Sequence, residues 1–190
     1  MNPAQQPPLA ILDRDGVINA DSDAFIKSVD EWQPLPGSIE AIARLKHAGW
    51  QVAVATNQSG IGRGLFDEAT LHAMHAKLAA LLAEQGAALD LIVWCPHAPG
   101  QVCDCRKPLP GLFHQVAQRL GRSLDGAVAI GDSLRDLQAA VAAGVRPVLV
   151  RSGKGERTLA KGGVPEGTAV YADLAQAVQA LLGERSVALA

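Results

Sequence analysis

Short apolar runs alternate with helix-patterned stretches along this chain, and that alternation constrains its fold more than any other feature. Leu9–Leu12, entered from the Pro7-Pro8 breaker, reads as a short buried strand. Gln51–Thr56, Leu89–Trp94, Ala127–Ile130 and Pro147–Val150 repeat the pattern, with a weaker run at Thr168–Tyr171. Between them lie candidate helices. One spans Ser38–His47 and is stopped by Gly49. A long one starts at Asp67 as N-cap and runs to about Gln85, with Leu71, Met74, Leu78, Leu81 and Leu82 as its apolar stripe. Others follow Pro110-Gly111 up to Gly121, run from Ser133 to Ala143, and from Asp173 to Leu182. Strict alternation with apolar strands predicts an α/β fold, a parallel sheet with helices on both faces. At 190 residues the chain suffices for one good core and is short for two, so residues 1–190 are expected to form a single domain. Ile18–Pro36 and Pro96–Pro110 fit neither pattern, and long loops in a compact domain are usually functional.

Charge and hydropathy exclude several classes of partner. The net charge of −2 offers no basic field for nucleic acid or an anionic membrane. Arg151, Lys154, Arg157 and Lys161 do cluster, but without interleaved aromatics they read as a solvated loop. No apolar run approaches the roughly 18 residues of a membrane span. Met1–Pro8 lacks the regions of a signal peptide, so the expected location is cytoplasmic.

The chemistry-bearing residues fall at strand ends. Asp13 and Asp15 close the first strand, and two like charges so near one another need a cation or a shared proton. Thr56-Asn57-Gln58-Ser59-Gly60 ends the second strand, either as a polar turn or as a set of groups converging on an anion. Arg106 and Lys107 precede the helix near Pro110; a lysine there can place a point charge on a phosphoryl oxygen. Asp132 follows the fourth strand. Asp136 either caps the next helix in a Ser-x-x-Asp box or supports a metal from behind its ligands. Few hard oxygen ligands suit a Mg²⁺ that keeps waters and accepts substrate phosphate. A carboxylate can then attack phosphorus and split hydrolysis into two displacements.

Cys95, His97, Cys103 and Cys105 make a second constellation. Three soft thiolates and an imidazole within one window form a Cys₃His set of the structural zinc type, able to fold a loop that has no core of its own. His47, His72, His75 and His114 have no partners in sequence and read as surface residues of helices.

Asp-x-Asp-Gly-Val, the strand-terminal Thr, the loop Lys and Gly-Asp-x-x-x-Asp resemble, in order, the four motifs of the haloacid dehalogenase superfamily of phosphatases. The resemblance implies a Rossmann-like fold, with Asp13 as nucleophile and Asp15 as the acid that protonates the leaving alkoxide and later activates water. It also implies that the backbone carbonyl of Asp15 joins Asp13 and Asp132 on Mg²⁺, while Thr56 and Lys107 hold the phosphoryl group. Within the superfamily, Asp-Arg-Asp-Gly-Val-Ile-Asn, Thr-Asn-Gln-Ser-Gly-Ile-Gly-Arg-Gly, Cys-Pro-His and Cys-Asp-Cys-Arg-Lys-Pro are similar to the D-glycero-D-manno-heptose 1,7-bisphosphate 7-phosphatases. Those enzymes serve ADP- or GDP-heptose synthesis for cell-envelope polysaccharide. Their substrate, a small sugar bisphosphate, would meet Asn57, Gln58 and Ser59 at the transferred phosphate, and Arg63 and Arg106 at the second. The short span between Asp15 and the second strand leaves no room for a separate cap domain, and such a small protein is expected to be a monomer. Histidinol-phosphate phosphatase is the nearest alternative. A phospho-receiver domain is the alternative of another class, but it needs an aspartate after the third strand, where Trp94-Cys95 stands.

Overall fold

Each apolar run becomes a strand of one parallel sheet in the computed structural model, which describes residues 6–188; Met1–Gln5 of the proline-rich start fall outside them. In chain order the elements are β1 (Leu9–Leu12), α1 (Ser38–His47), β2 (Gln51–Asn57), α2 (Ser59–Gly62), α3 (Glu68–Glu84), β3 (Leu91–Cys95) and α4 (Gly111–Leu120). They continue with β4 (Val128–Gly131), α5 (Leu134–Ala142), β5 (Arg146–Val150), α6 (Gly155–Lys161), β6 (Ala169–Tyr171) and α7 (Leu174–Ala188). The strand order is β3-β2-β1-β4-β5-β6, so β1 is flanked by β2 and β4 and the order reverses there. In open sheets of this kind, ligands bind outside the carboxyl ends of the strands at such a reversal.

Side-chain alternation along the strands builds two cores. Ala10, Leu12, Val52, Val54, Val128 and Ile130 point toward α1, α3 and α7. Leu9, Ile11, Ala53, Ala55 and Ala129 face the other way, against Leu112, Phe113 and Val116 of α4 and Ala139 and Ala140 of α5. The small side chains on that second face let α4 and α5 approach the sheet closely. Full burial of a leucine is worth about 1.5–3 kcal/mol, and Leu45, Leu71, Leu78 and Leu82 each reach it. Asp67 caps α3 by accepting the Thr70 N–H at 2.8 Å.

Three expectations need correction. The third strand starts at Leu91 rather than Leu89, because the Asp90 carboxylate turns back to accept the Val52 N–H at 2.6 Å and Lys46 Nζ at 2.5 Å. The basic stretch is not a plain loop: residues 155–161 form α6, whose Thr158 hydroxyl donates to the Asp132 carbonyl at 2.8 Å. His75 is buried, not superficial, since position 75 shares the inward face of α3 with Leu71 and Leu78. Its ring lies 5.9 Å from that of Trp94, and burial drives its pKa down to about 4, so it is neutral near pH 7.

The two unassigned segments acquire distinct forms. Ile18–Pro36 rises over the carboxyl edge and returns with Trp32 fully buried in the first core. Lys77 of α3 fixes that return by donating to the Val29 and Trp32 carbonyls at 3.0 and 2.7 Å. Pro96–Pro110 folds back on itself between β3 and α4 and brings the cysteines together.

Candidate active site

Two strand ends deliver the carboxylates to one place. Asp13 leaves β1 with its N–H donated to the Ile130 carbonyl at 2.9 Å, and Asp132 leaves β4 directly. A cavity of about 240 Å³ opens above them. Of the residues singled out from sequence, Asp13, Asp15, Asn57, Gln58, Ser59, Arg106, Lys107, Asp132 and Asp136 line it. Thr56 is fully buried behind this wall, its hydroxyl accepting from Gln58 Nε2 at 2.9 Å. Arg63 is not among the lining residues; its guanidinium lies over the Phe25 ring, 5.6 Å from the centroid.

Charge decides what the cavity can hold. Lys107 Nζ reaches Asp13 Oδ1 at 2.9 Å and Asp136 Oδ1 at 2.6 Å. Asp13, Asp132 and Asp136 have carboxylate oxygens within 4.8 Å of one another, and the ammonium of Lys107 pairs with two of these three acids. Burial raises Asp13 to about 6 despite Lys107, with repulsion from Asp136 and Asp15 adding to it. Burial, then Asp136 and Asp13, raise Asp132 to about 8. Burial opposes the ammonium of Lys107 too, yet its two carboxylates keep its pKa above the ordinary value. Buried anions in excess of their counter-charge require another cation, and a divalent one closes the balance.

Asp136 takes the capping role and also pairs with Lys107. Its Oδ2 accepts the Ser133 N–H at 3.0 Å and the Ser133 hydroxyl at 2.6 Å, completing the capping box of α5, while its Oδ1 holds Lys107. With both oxygens engaged, Asp136 backs the site instead of reaching into it. Asp13 and Asp132 are the carboxylates left for a hard cation, and the Asp15 side chain is occupied elsewhere.

Asp15 is held by Arg14, a residue the sequence reading passed over. Arg14 is fully buried and donates through Nη2 to Asp15 Oδ1 at 2.9 Å and Oδ2 at 3.1 Å, and to Gln58 Oε1 at 3.2 Å. Asn19 and Gln58 add donors to Asp15 at 2.8 and 2.9 Å. Burial pushes the Asp15 carboxyl up, but Arg14, Asn19 and Gln58 outweigh it and leave it below the ordinary carboxylate value. Only its place inside Asp13-Arg14-Asp15 signals the role of Arg14; a fully buried guanidinium must have a carboxylate beside it.

Further supports come from far along the chain. Gly16 and Gly153, both at positive φ, close around Asp132: a Cβ on either would lie 2.0 or 2.2 Å from Asp132 Oδ2. The Lys154 N–H donates to the same oxygen at 2.7 Å, and Lys154 Nζ pairs with Asp21. Asn57 clamps Lys107 at two backbone points, donating to its carbonyl at 3.0 Å and accepting its N–H at 3.1 Å. Asp21, Ser22, Asp23 and Phe25 form part of the rim, with Phe25 at φ 67°, a conformation a bulky residue rarely adopts.

The sulfur cluster lies beside this cavity. Cys95 Sγ and Cys105 Sγ are 3.5 and 3.4 Å from His97 Nδ1, and Cys95 Sγ is 3.9 Å from Cys103 Sγ. Donors at about 2.3 Å (sulfur) and 2.0 Å (nitrogen) from a tetrahedral centre stand about 3.5–3.8 Å from each other. These three separations match one tetrahedral shell, and all four donor atoms lie within 4.8 Å of one another. Arg106 Nη1 donates to the His97 carbonyl at 3.1 Å, tying the cluster to the residues that enter the cavity.

Residues 4–144 match the sequence pattern of the haloacid dehalogenase-like hydrolases. The chain belongs to that family. This hydrolase is 58% identical over 176 residues to the D-glycero-β-D-manno-heptose-1,7-bisphosphate 7-phosphatase of Bordetella bronchiseptica, covering 93% of this chain and 98% of the relative. It is 60% identical over 174 residues to the enzyme of the same name from Pseudomonas aeruginosa, covering 92% and 97%. Among solved structures, the D,D-heptose 1,7-bisphosphate phosphatase of B. bronchiseptica, complexed with magnesium and phosphate, matches with a TM-score of 0.91 at 58% identity, over 93% of this chain and 99% of that one. The corresponding phosphatase of Burkholderia thailandensis matches at 0.73 and 49% identity, over 92% and 98%.

Proposed function

We propose that this hydrolase removes the 7-phosphate of D-glycero-D-manno-heptose 1,7-bisphosphate through an aspartyl-phosphate on Asp13. The observation that carries the reading is the cluster of Asp13, Asp132 and Asp136 around Lys107, whose ammonium pairs with two of the three, in a chain similar over nearly its whole length to phosphatases of that specificity. Asp13, Asp132 and the backbone carbonyl of Asp15 would hold Mg²⁺, which when bound supplies the charge that lets a phosphate dianion approach an anionic nucleophile.

The residues divide the work between two displacements. Asp13 attacks phosphorus in line with the leaving C7 oxygen, forming the acyl–phosphate bond as the P–O bond to the sugar breaks. Asp15 gives that oxygen its proton. Its anchoring to Arg14 favours the ionised form, and the negative charge of an arriving phosphate shifts it toward the protonated donor. In the second step Asp15 takes a proton from water as that water attacks phosphorus and frees Asp13. Lys107 stays on Asp13 and offsets charge building on the phosphoryl oxygens, and Thr56, which accepts from Gln58, keeps its hydroxyl proton for the same oxygens.

Cys95, His97, Cys103 and Cys105 would hold Zn²⁺ in a closed structural site that stiffens the loop leading to Arg106 and Lys107. Cys105→Ser is expected to drop the zinc content from one per chain to near zero by elemental analysis. It should also lower the melting temperature by about 10 °C. Unchanged metal content would reject the zinc site.

On this reading residues 1–190 act as one domain, a cytoplasmic monomer that feeds activated-heptose synthesis for the cell envelope. Among the described residues no helix is long and apolar enough to cross a membrane. The test is phosphate release from the β anomer of the bisphosphate with Mg²⁺ present, followed by ³¹P NMR. Catalytic loss of the 7-phosphate with retention of the 1-phosphate supports the reading. Faster turnover of histidinol phosphate, or one phosphate incorporated per chain without turnover, refutes it.

A further inference from the structure

Two guanidinium groups meet at the cavity without an anion between them. Arg106 arrives from the sulfur-cluster loop and Arg135 from the first turn of α5, and both line the same space as Asp13 and Asp132. The other cations there are already paired: Lys107 with Asp13 and Asp136, Lys154 with Asp21. Arg106 makes one hydrogen bond, to the His97 carbonyl, and among the described residues Arg135 makes neither a hydrogen bond nor an ion pair. The pair is close enough that, after burial, the charge of Arg135 is the strongest influence lowering the pKa of Arg106.

Nothing in the fold accounts for Arg135. It is the second residue of α5, where the helix dipole presents its positive end and a cation is unfavourable. Its side chain is exposed, so it contributes no packing to the second core. A cation kept at a helix N-terminus, facing a second uncompensated cation across a catalytic cavity, needs a bound anion to relieve both costs. The transferred phosphate does not serve, because Lys107 and the cation bound by Asp13 and Asp132 meet it.

We propose that Arg135 acts with Arg106 as a clamp for the second phosphate of the substrate and makes this enzyme select bisphosphates over monophosphates. Two guanidinium forks suit a terminal phosphate dianion, each able to donate two parallel N–H···O bonds. Asp21 and Asp23 on the rim are already engaged by Lys154 and Arg157, and that side is left to the sugar hydroxyls. The inference rests on the bisphosphatase reading above.

The experiment compares wild type and Arg135→Gln on heptose 1,7-bisphosphate and on heptose 7-phosphate, which lacks the second phosphate. The expected result is that the ratio of kcat/KM for the two substrates falls by about ten- to a hundredfold in the variant, with the loss carried by KM. Arg135→Lys should recover part of that ratio. A ratio that does not change, whether both substrates suffer equally or neither does, overturns the clamp while leaving the phosphatase reading intact. Wild-type enzyme that releases no phosphate from the bisphosphate overturns both, and is seen before any variant is made.

Discussion

Asp13→Asn should lower kcat by about 10⁴-fold or more, the scale seen when a covalent nucleophile is removed. The amide has nearly the shape of the carboxylate but cannot form the acyl phosphate. The fold should survive. Asp13 joins the sheet through its backbone N–H, which the substitution keeps, and Lys107 retains Asp136 at 2.6 Å. Removing the Asp13 charge also relieves its repulsion with Asp136 and Asp15 in the metal-free protein, so thermal stability should hold or rise. Acid-quenched wild type given substrate should carry a base-labile phosphate on the chain, and the variant should carry none. A variant that turns over like wild type would remove Asp13 from the mechanism.

Lys107→Met should be the most damaging change to stability in the site. The ammonium is fully buried and touches Asp13, Asp136 and the Ala55 carbonyl, the last at 2.8 Å. Its loss leaves the Asp13 and Asp136 carboxylates, the two it touches, without their counter-charge, a situation that costs about 3–5 kcal/mol. Urea unfolding of the metal-free variant should show that loss, and added Mg²⁺ should return part of it. Activity should fall by about 10²–10³-fold even when Mg²⁺ saturates, since a charge aimed at the phosphoryl oxygens is gone. A variant as stable as wild type without metal would mean that Asp13 and Asp136 are not both ionised around Lys107.

The strands and the principal acids were legible because each is a local signal. An apolar run ending in Asp13 or Asp132 states its own position in a parallel sheet, and the cysteine window needs only its spacing. Asp136 was half legible: the Ser133 box is local, but its bond to Lys107 joins the first turn of α5 to the loop before α4. What stayed hidden depends on distant partners. Lys154 looked like one more solvated base, and only the approach of the loop after β5 places its N–H on Asp132 and its ammonium on Asp21. Gly153 gave no signal at all, since its value lies in the side chain it lacks beside Asp132. His75 shares the inward face of α3, yet polarity alone argued for the surface, and the ring of Trp94 that receives it belongs to another element.

The segment from Ile18 to Pro36 is built in two parts with different obligations. Its tip, from Asp21 to Phe25, meets the cavity, whereas its root is nailed into the core by Trp32 and held by Lys77. The tip is tied to the rest of the chain through Asp21 to Lys154 and Asp23 to Arg157, and the root keeps whatever is placed there at the same height above Asp13. A lineage carrying this scaffold can therefore explore new sugars by rewriting a few rim residues, without re-solving the problem of folding.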